Sequence, residues 1–211
     1  MTTPSTTTKS PFWMKFIVHA GALLPLLILG VNAITSNLGF NPIQTVTHLT
    51  GRAALVILLL SLAVTPMRTL LNLPQITPLR RDLGLYAFKY AFLHLAIYIV
   101  WDYDFDWVAI FQSMLNNRFI QIGTIAFIIL LLLTMTSFPF WIRKLGKAWK
   151  WLHRLVYLAA FLVLLHFTWV GKGDILSLQG DIVRPLIALG ALLLLMLLRI
   201  RPVINFLRGL V

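Results

Sequence analysis

Apolar residues in this chain come in long uninterrupted blocks. They do not alternate as in a half-buried strand, nor recur every three to four residues as in an amphipathic surface helix. At 1.5 Å per residue, a block of about 20 apolar residues matches the hydrocarbon thickness of a bilayer. Six such blocks, at 12–31, 53–67, 83–101, 119–138, 151–170 and 182–198, predict six membrane-crossing helices. The second and sixth are short for a crossing and are expected to extend into flanking polar residues. The polar start, MTTPSTTTKS, predicts a disordered cytosolic tail over 1–11. It does not predict a signal peptide, because the first apolar block is too long for one and no small-residue cleavage site follows. The expected organisation is this tail, a six-helix membrane domain over 12–200 and a C-terminal cytosolic tail over 201–211. The predicted class is an all-α integral membrane bundle. No Gly-rich nucleotide fingerprint follows a strand, and no internal repeat stands out.

Charge sets the expected orientation. The formal net charge is +12 from 18 Lys and Arg against six Asp, with no Glu. In a soluble protein such a balance points to nucleic acid. In a membrane chain it reports topology, so a nucleic-acid partner is not expected. With the N-terminus in the cytosol, that side collects Lys9, Lys15, Arg68, Arg80, Arg81, Arg143, Lys144, Lys147, Lys150, Arg154, Arg199, Arg201 and Arg208, which is 13 of the 18 basic residues. The opposite side holds Arg52, Arg118, Lys172 and Arg184. The positive-inside rule therefore predicts both termini in the cytosol of a multi-pass protein of the bacterial inner membrane. All seven Trp fall at or just beyond span ends, where an interfacial aromatic belt is expected. The basic fourth loop, RKLGKAWK, is placed to meet lipid headgroups, or to dock a donor or a flavin phosphate.

The absence of Cys excludes disulfides, iron–sulfur clusters and thiolate ligation of haem. The chemistry then rests on ionisable residues inside the apolar blocks, which are costly in a membrane and are functional candidates for that reason. His94 on the third span and His166 on the fifth lie in the outer half at matched depth. Spans separated by one crossing run parallel, so these two can share one site. A neutral imidazole on each side of a haem iron is a usual low-spin electron-transfer ligation. His153 sits at the cytosolic start of the fifth span, roughly 20 Å along the axis from His166, a separation that would suit a second stacked haem. Thirteen residues leave the two on different helical faces unless the helix tilts or unwinds. No His stands at the depth of His153 on the third span. Arg80 and Arg81 stand there instead, poor metal ligands but good partners for haem propionates. His19, in the cytosolic half of the first span, and His48 with Arg52, on the outer side, are candidates to line a quinone or propionate site. Each has a plainer reading: interhelical hydrogen bonding for the histidines, headgroup anchoring for the arginines, snorkelling for Lys89.

Six stretches, HAGALLP (19–25), HLTGR (48–52), RRDLGL (80–85), FLHL (92–95), LGKAWKWLHRLVY (145–157) and LLHFTW (164–169), together give the chain a family likeness. In order and spacing it resembles the ferric-reductase-like transmembrane group, and within it the MsrQ family of haem-binding membrane subunits of bacterial protein-methionine-sulfoxide reductase systems. The resemblance implies b-type haem, one or two, held through His94, His166 and His153, with Arg80 and Arg81 near the place of a missing histidine. Members of the wider group carry two His on each of these spans, a pattern from which this chain departs. It implies electron delivery to a periplasmic molybdenum-cofactor reductase that repairs oxidised methionines in envelope proteins. The donor would be a cytosolic flavin reductase or quinol; flavin mononucleotide and quinone are further cofactor candidates. Acceptor docking is expected on the outer loops 32–50, 102–118 and 171–181. Two other functions fit the residues: a stand-alone ferric or quinone reductase, and a small transporter using the histidines as a relay.

Overall fold

The computed structural model describes residues 10–170, 183–200 and 202–204. The expectations for residues 1–9, for the loop 171–181 and for residues 201 and 205–211 lie outside these residues. The described chain is helical throughout, with no strand: α1 (Phe12–Ile34), α2 (Pro42–Leu70), α3 (Leu79–Ile97), α4 (Trp107–Asn116), α5 (Arg118–Met135), α6 (Pro139–Leu145), α7 (Lys147–Leu152), α8 (Leu155–Val170) and α9 (Val183–Leu197). Five helical stretches are long and apolar enough to cross a membrane, namely Phe12–Ile34, Pro42–Leu70, Pro74–Asp102, Arg118–Met135 and Lys147–Val170. The expected sixth span is the shorter apolar helix Val183–Leu197. The protein is a multi-pass membrane bundle.

Helix α2 is its axis. Half of its most apolar window is buried, against 6% for α1. Its contact faces meet small residues: Ala87 of α3 and Ala159 and Ala160 of α8 are fully buried with Leu58 and Leu62 of α2 in one core. Lipid tails are as apolar as Leu, so close backbone approach, not apolar burial, is what draws such helices together. The large residues point outward; Phe16, Leu27, Phe92, Ile128 and Phe161 are exposed, as a bilayer-facing surface requires.

Several boundaries differ from the sequence expectation for local reasons. The second helix begins about three turns earlier than its apolar block, at Pro42, where Asn41 accepts from the Gln44 N–H at 3.0 Å and caps the end. Thr47 and Thr50 then return their hydroxyl protons to carbonyls one turn back, at 2.8 and 2.9 Å. The polar run thus satisfies itself inside a helix, so the second span extends into its polar flank as expected, and His48 and Arg52 ride on α2. The segment 102–118 holds α4, capped by Asp106 on the Ala109 N–H at 3.0 Å. The fifth crossing is interrupted: α7 ends at Leu152, His153 and Arg154 form a turn, and α8 resumes at Leu155. The basic fourth loop is itself mostly helix, in α6 and α7, joined by Gly146 at φ +50°.

The most extensive helix contacts are α2 with α3 and α5 with α8. These two antiparallel pairs are built alike, a repetition the residues alone do not announce.

Candidate haem site between two matched helix pairs

His94 of α3 and His166 of α8 come together from separate pairs. Their ring centroids lie 6.1 Å apart with planes crossed at 84°. Each ring is fixed in the same way. The His94 Nδ1 lies 2.9 Å from the Thr47 carbonyl oxygen of α2, and the His166 Nδ1 lies 2.8 Å from the Phe119 carbonyl oxygen of α5. Both bonds reach back over 47 residues. A carbonyl only accepts, so Nδ1 carries the proton in both rings. Each Nε2 then keeps its lone pair, the arrangement in which a backbone carbonyl sets a histidine up as a metal ligand.

One turn beyond each carbonyl stands a glycine. A Cβ on Gly51 would lie 3.1 Å from the His94 Nδ1, and one on Gly123 would lie 2.8 Å from the His166 Nδ1. Both imidazoles therefore rest against bare backbone. Thr47 with Gly51, and Phe119 with Gly123, form two equivalent cradles facing each other across the bundle. The sequence reading missed them. Gly51 lies within the HLTGR stretch, but nothing local marks a mid-span glycine such as Gly123 as a seat for an imidazole.

This pair fits haem on its donor set and spacing. A metal held between two imidazoles at about 2.0–2.1 Å per nitrogen puts the ring centroids about 6.3 Å apart, close to the distance seen. Among the described residues no group of three or more His, Cys, Asp or Glu could hold a metal ion. Two ligands alone suit an iron whose other positions are filled by a porphyrin.

His48 is half-buried on α2, within electrostatic reach of His94, Arg52 and Asp102. Arg52 is exposed and its Nε donates back to the His48 carbonyl at 3.2 Å. Both flank the His94 end of the pair. His19 is not brought to it. Its exposed ring meets the Tyr86 hydroxyl at 2.9 Å on the α1–α3 flank, with the Lys89 ammonium 4.8 Å from the Tyr86 ring centroid.

His153 lies at the other end of the bundle, in a different setting. Its ring stacks on Trp149 with centroids 4.0 Å apart. Its Nε2 lies 3.2 Å from the Thr136 Oγ1, while that hydroxyl donates to the Leu132 carbonyl at 2.7 Å. The Thr136 proton is thus used, so Oγ1 accepts and Nε2 is the protonated nitrogen. Arg80 is half-buried at the start of α3, within electrostatic reach of His153, whereas Arg81 is exposed. The Ser61 hydroxyl of α2 pins this turn by donating to the Arg80 carbonyl at 2.9 Å.

Comparison with known proteins adds the relatives. A family model described as "Ferric reductase like transmembrane component" matches residues 50–164, a segment that holds His94 and His153. The chain is 39% identical over 175 residues to the "Protein-methionine-sulfoxide reductase heme-binding subunit MsrQ" of Xanthomonas axonopodis pv. citri (strain 306), covering 80% of each chain. It is 37% identical over 188 residues to the protein of that name from Herminiimonas arsenicoxydans, covering 89% of this chain and 84% of the other. A third such protein, from Xanthomonas campestris pv. campestris (strain 8004), is 38% identical over 167 residues, covering 76% and 77%.

Proposed function

The chain belongs to the MsrQ family of the ferric-reductase-like transmembrane proteins, and from that premise we propose that it is a b-type membrane cytochrome that relays electrons to a methionine sulfoxide reductase. The observation that carries this reading is the facing imidazole pair, His94 and His166, 6.1 Å apart with both Nδ1 protons committed to backbone carbonyls.

In this reading His94 and His166 hold haem iron through Nε2. Haem supplies a one-electron carrier, and the protein sets its position and electrostatics. The Thr47 and Phe119 carbonyls keep both rings in the ligating tautomer and make them stronger donors. The exposed apolar faces of the surrounding helices keep the site within the low-dielectric bilayer. His48 and Arg52, at the same end, are assigned to the haem propionates or to a quinone headgroup.

The charge asymmetry supports an orientation in the inner membrane with both termini in the cytosol and the His94–His166 pair toward the periplasm. The acceptor is then a periplasmic molybdenum-cofactor reductase docking on the outer segments that include α4. The donor is a cytosolic flavin reductase or the quinone pool, arriving near His153, Arg80 and Arg81, with flavin mononucleotide or quinone as mediator.

Purified protein, expressed with full haem supply, is expected to show dithionite-reducible b-type Soret and α bands. The reduced haem should reoxidise when the periplasmic reductase and a methionine sulfoxide substrate are added. Haem bands without that reoxidation would overturn the assigned partner. Absence of the bands would overturn the reading as a whole.

A further inference from the structure

The two cradles stand in one register. Each residue of the second lies 72 positions after its counterpart in the first: 119 against 47, 123 against 51 and 166 against 94. The same step pairs Asn41 with Ser113 and Thr45 with Asn117, and the hydrogen bonds follow it. The Thr45 hydroxyl donates to the Asn41 carbonyl at 3.1 Å, and the Asn117 Nδ2 donates to the Ser113 carbonyl at 2.9 Å. In each half, a side chain two residues before the cradle carbonyl clasps the turn that leads into its helix.

The two clasps end differently. Thr45 shares its hydroxyl proton with the Leu38 carbonyl at 2.8 Å, so the first clasp closes within the approach to α2. Asn117 also donates to the Ser113 Oγ at 3.0 Å, and that oxygen accepts from the Tyr103 hydroxyl at 2.8 Å. Tyr103 packs on Tyr98 with ring centroids 4.7 Å apart, and the Tyr98 N–H donates to the His94 carbonyl one turn back. The second clasp thus runs from the start of α5 through α4 to the helix that bears the opposite imidazole. The turn between Tyr103 and α4 is strained, with Asp104 and Phe105 both left-handed at φ +45° and +60°. Residues with a Cβ seldom adopt that conformation, and it persists where surrounding contacts fix it.

Position makes the second clasp the more consequential. Thr47 is the sixth residue of α2, behind the Asn41 cap, whereas Phe119 is the second residue of α5, whose start has no side-chain cap. Asn117 commits its amide to Ser113 instead. A carbonyl in the first turn of a helix points where the anchor just before it directs the chain.

We propose that Asn117 is a positioning residue for His166. Held by Ser113, and through it by Tyr103, it fixes the start of α5 and so aims the Phe119 carbonyl at the Nδ1 proton. The ring is thereby kept in the tautomer whose Nε2 is free to bind a metal. The consequence for haem rests on the cytochrome reading given above; the consequence for the tautomer does not.

The test compares full-length wild type, Asn117→Ala, Ser113→Ala and Tyr103→Phe, labelled with 15N-histidine and first studied without haem. The five histidines are assigned through single His→Gln variants. Asn117→Ala is expected to lower the tautomer preference of His166 severalfold, up to about tenfold, the scale of one hydrogen bond. Ser113→Ala and Tyr103→Phe should do so less, in that order, while His94 keeps its signal. Thr45→Val should give the mirror result at His94. With haem loaded, Asn117→Ala should also raise the midpoint potential, because an imidazole that loses its Nδ1 partner is a poorer donor to ferric iron. The proposal is overturned if Asn117→Ala and Ser113→Ala lower the melting temperature yet leave the His166 tautomer at its wild-type ratio, since Asn117 would then only brace α4. Ser113→Ala keeps the backbone carbonyl that Asn117 bonds, so it remains informative if Asn117→Ala does not fold. Failure of the cytochrome reading shows instead as missing haem bands, and the haem-free tautomer ratio decides the proposal in either case.

Discussion

His94 with His166 at one end of the bundle, and His153 with Arg80 at the other, use similar residue types to opposite effect. At the first end two rings face each other, each tied through Nδ1 to a carbonyl on a neighbouring helix, so both Nε2 atoms keep a lone pair. At the second, one ring is stacked on Trp149 and gives its Nε2 proton to Thr136, while Arg80 is within electrostatic reach. Two neighbouring rings that each keep an Nε2 lone pair can hold a metal between them. A ring whose Nε2 proton is committed to Thr136 does not offer that nitrogen to a metal. Which ring nitrogen finds the nearest acceptor therefore decides what a buried histidine can do.

The contrast can be broken most directly at the ligands. His94→Ala or His166→Ala is expected to abolish the low-spin haem spectrum, a loss of tenfold or more read by difference spectroscopy and pyridine haemochrome. His153→Ala should leave that spectrum intact. Unchanged spectra in both the His94 and His166 variants, or a low-spin spectrum lost with His153→Ala, would reverse the assignment.

The cradles come next. Gly123→Ala sets a Cβ 2.8 Å from the His166 Nδ1, closer than the 3.1 Å of Gly51→Ala at His94. Both should push an imidazole off its carbonyl and cost about 1–3 kcal/mol of stability, Gly123→Ala the more. A partial shift of the haem to high spin should accompany the lower melting temperature. If Gly51→Ala proves the more damaging, the two half-sites are not equivalent in the way described.

A finer test reads the crossing of the rings. Imidazole planes at 84° leave the iron orbitals that bond to them nearly degenerate. The ferric protein should therefore give a highly anisotropic low-spin electron paramagnetic resonance signal, distinct from that of parallel rings. A rhombic signal of the parallel type would show that the rings turn when haem is seated. Smallest of all, Arg81→Ala on an exposed position should change stability by no more than about 0.5 kcal/mol and leave the spectrum untouched, whereas Thr136→Val should cost about 1 kcal/mol and alter only the His153 end.

The apolar blocks alone were enough to establish a helical membrane bundle, because in hydrocarbon a chain must satisfy its backbone within each segment and crossing length follows from rise per residue. They also placed His94 and His166 at one depth on parallel helices, since depth depends only on position along each span. Rotation about the helix axis, ring tautomer and the identity of the partner carbonyl are set by contacts between residues distant in the chain. Hence only the tertiary structure disclosed the Thr47–Gly51 and Phe119–Gly123 cradles, the turn that interrupts the fifth crossing at His153, and the clasp of Asn117 on Ser113 and Tyr103. The extent to which the second span reaches into the polar run before it, back to Pro42, is set for a related reason: the threonines and Asn41 satisfy their hydrogen bonds inside a helix, a choice hydropathy does not register.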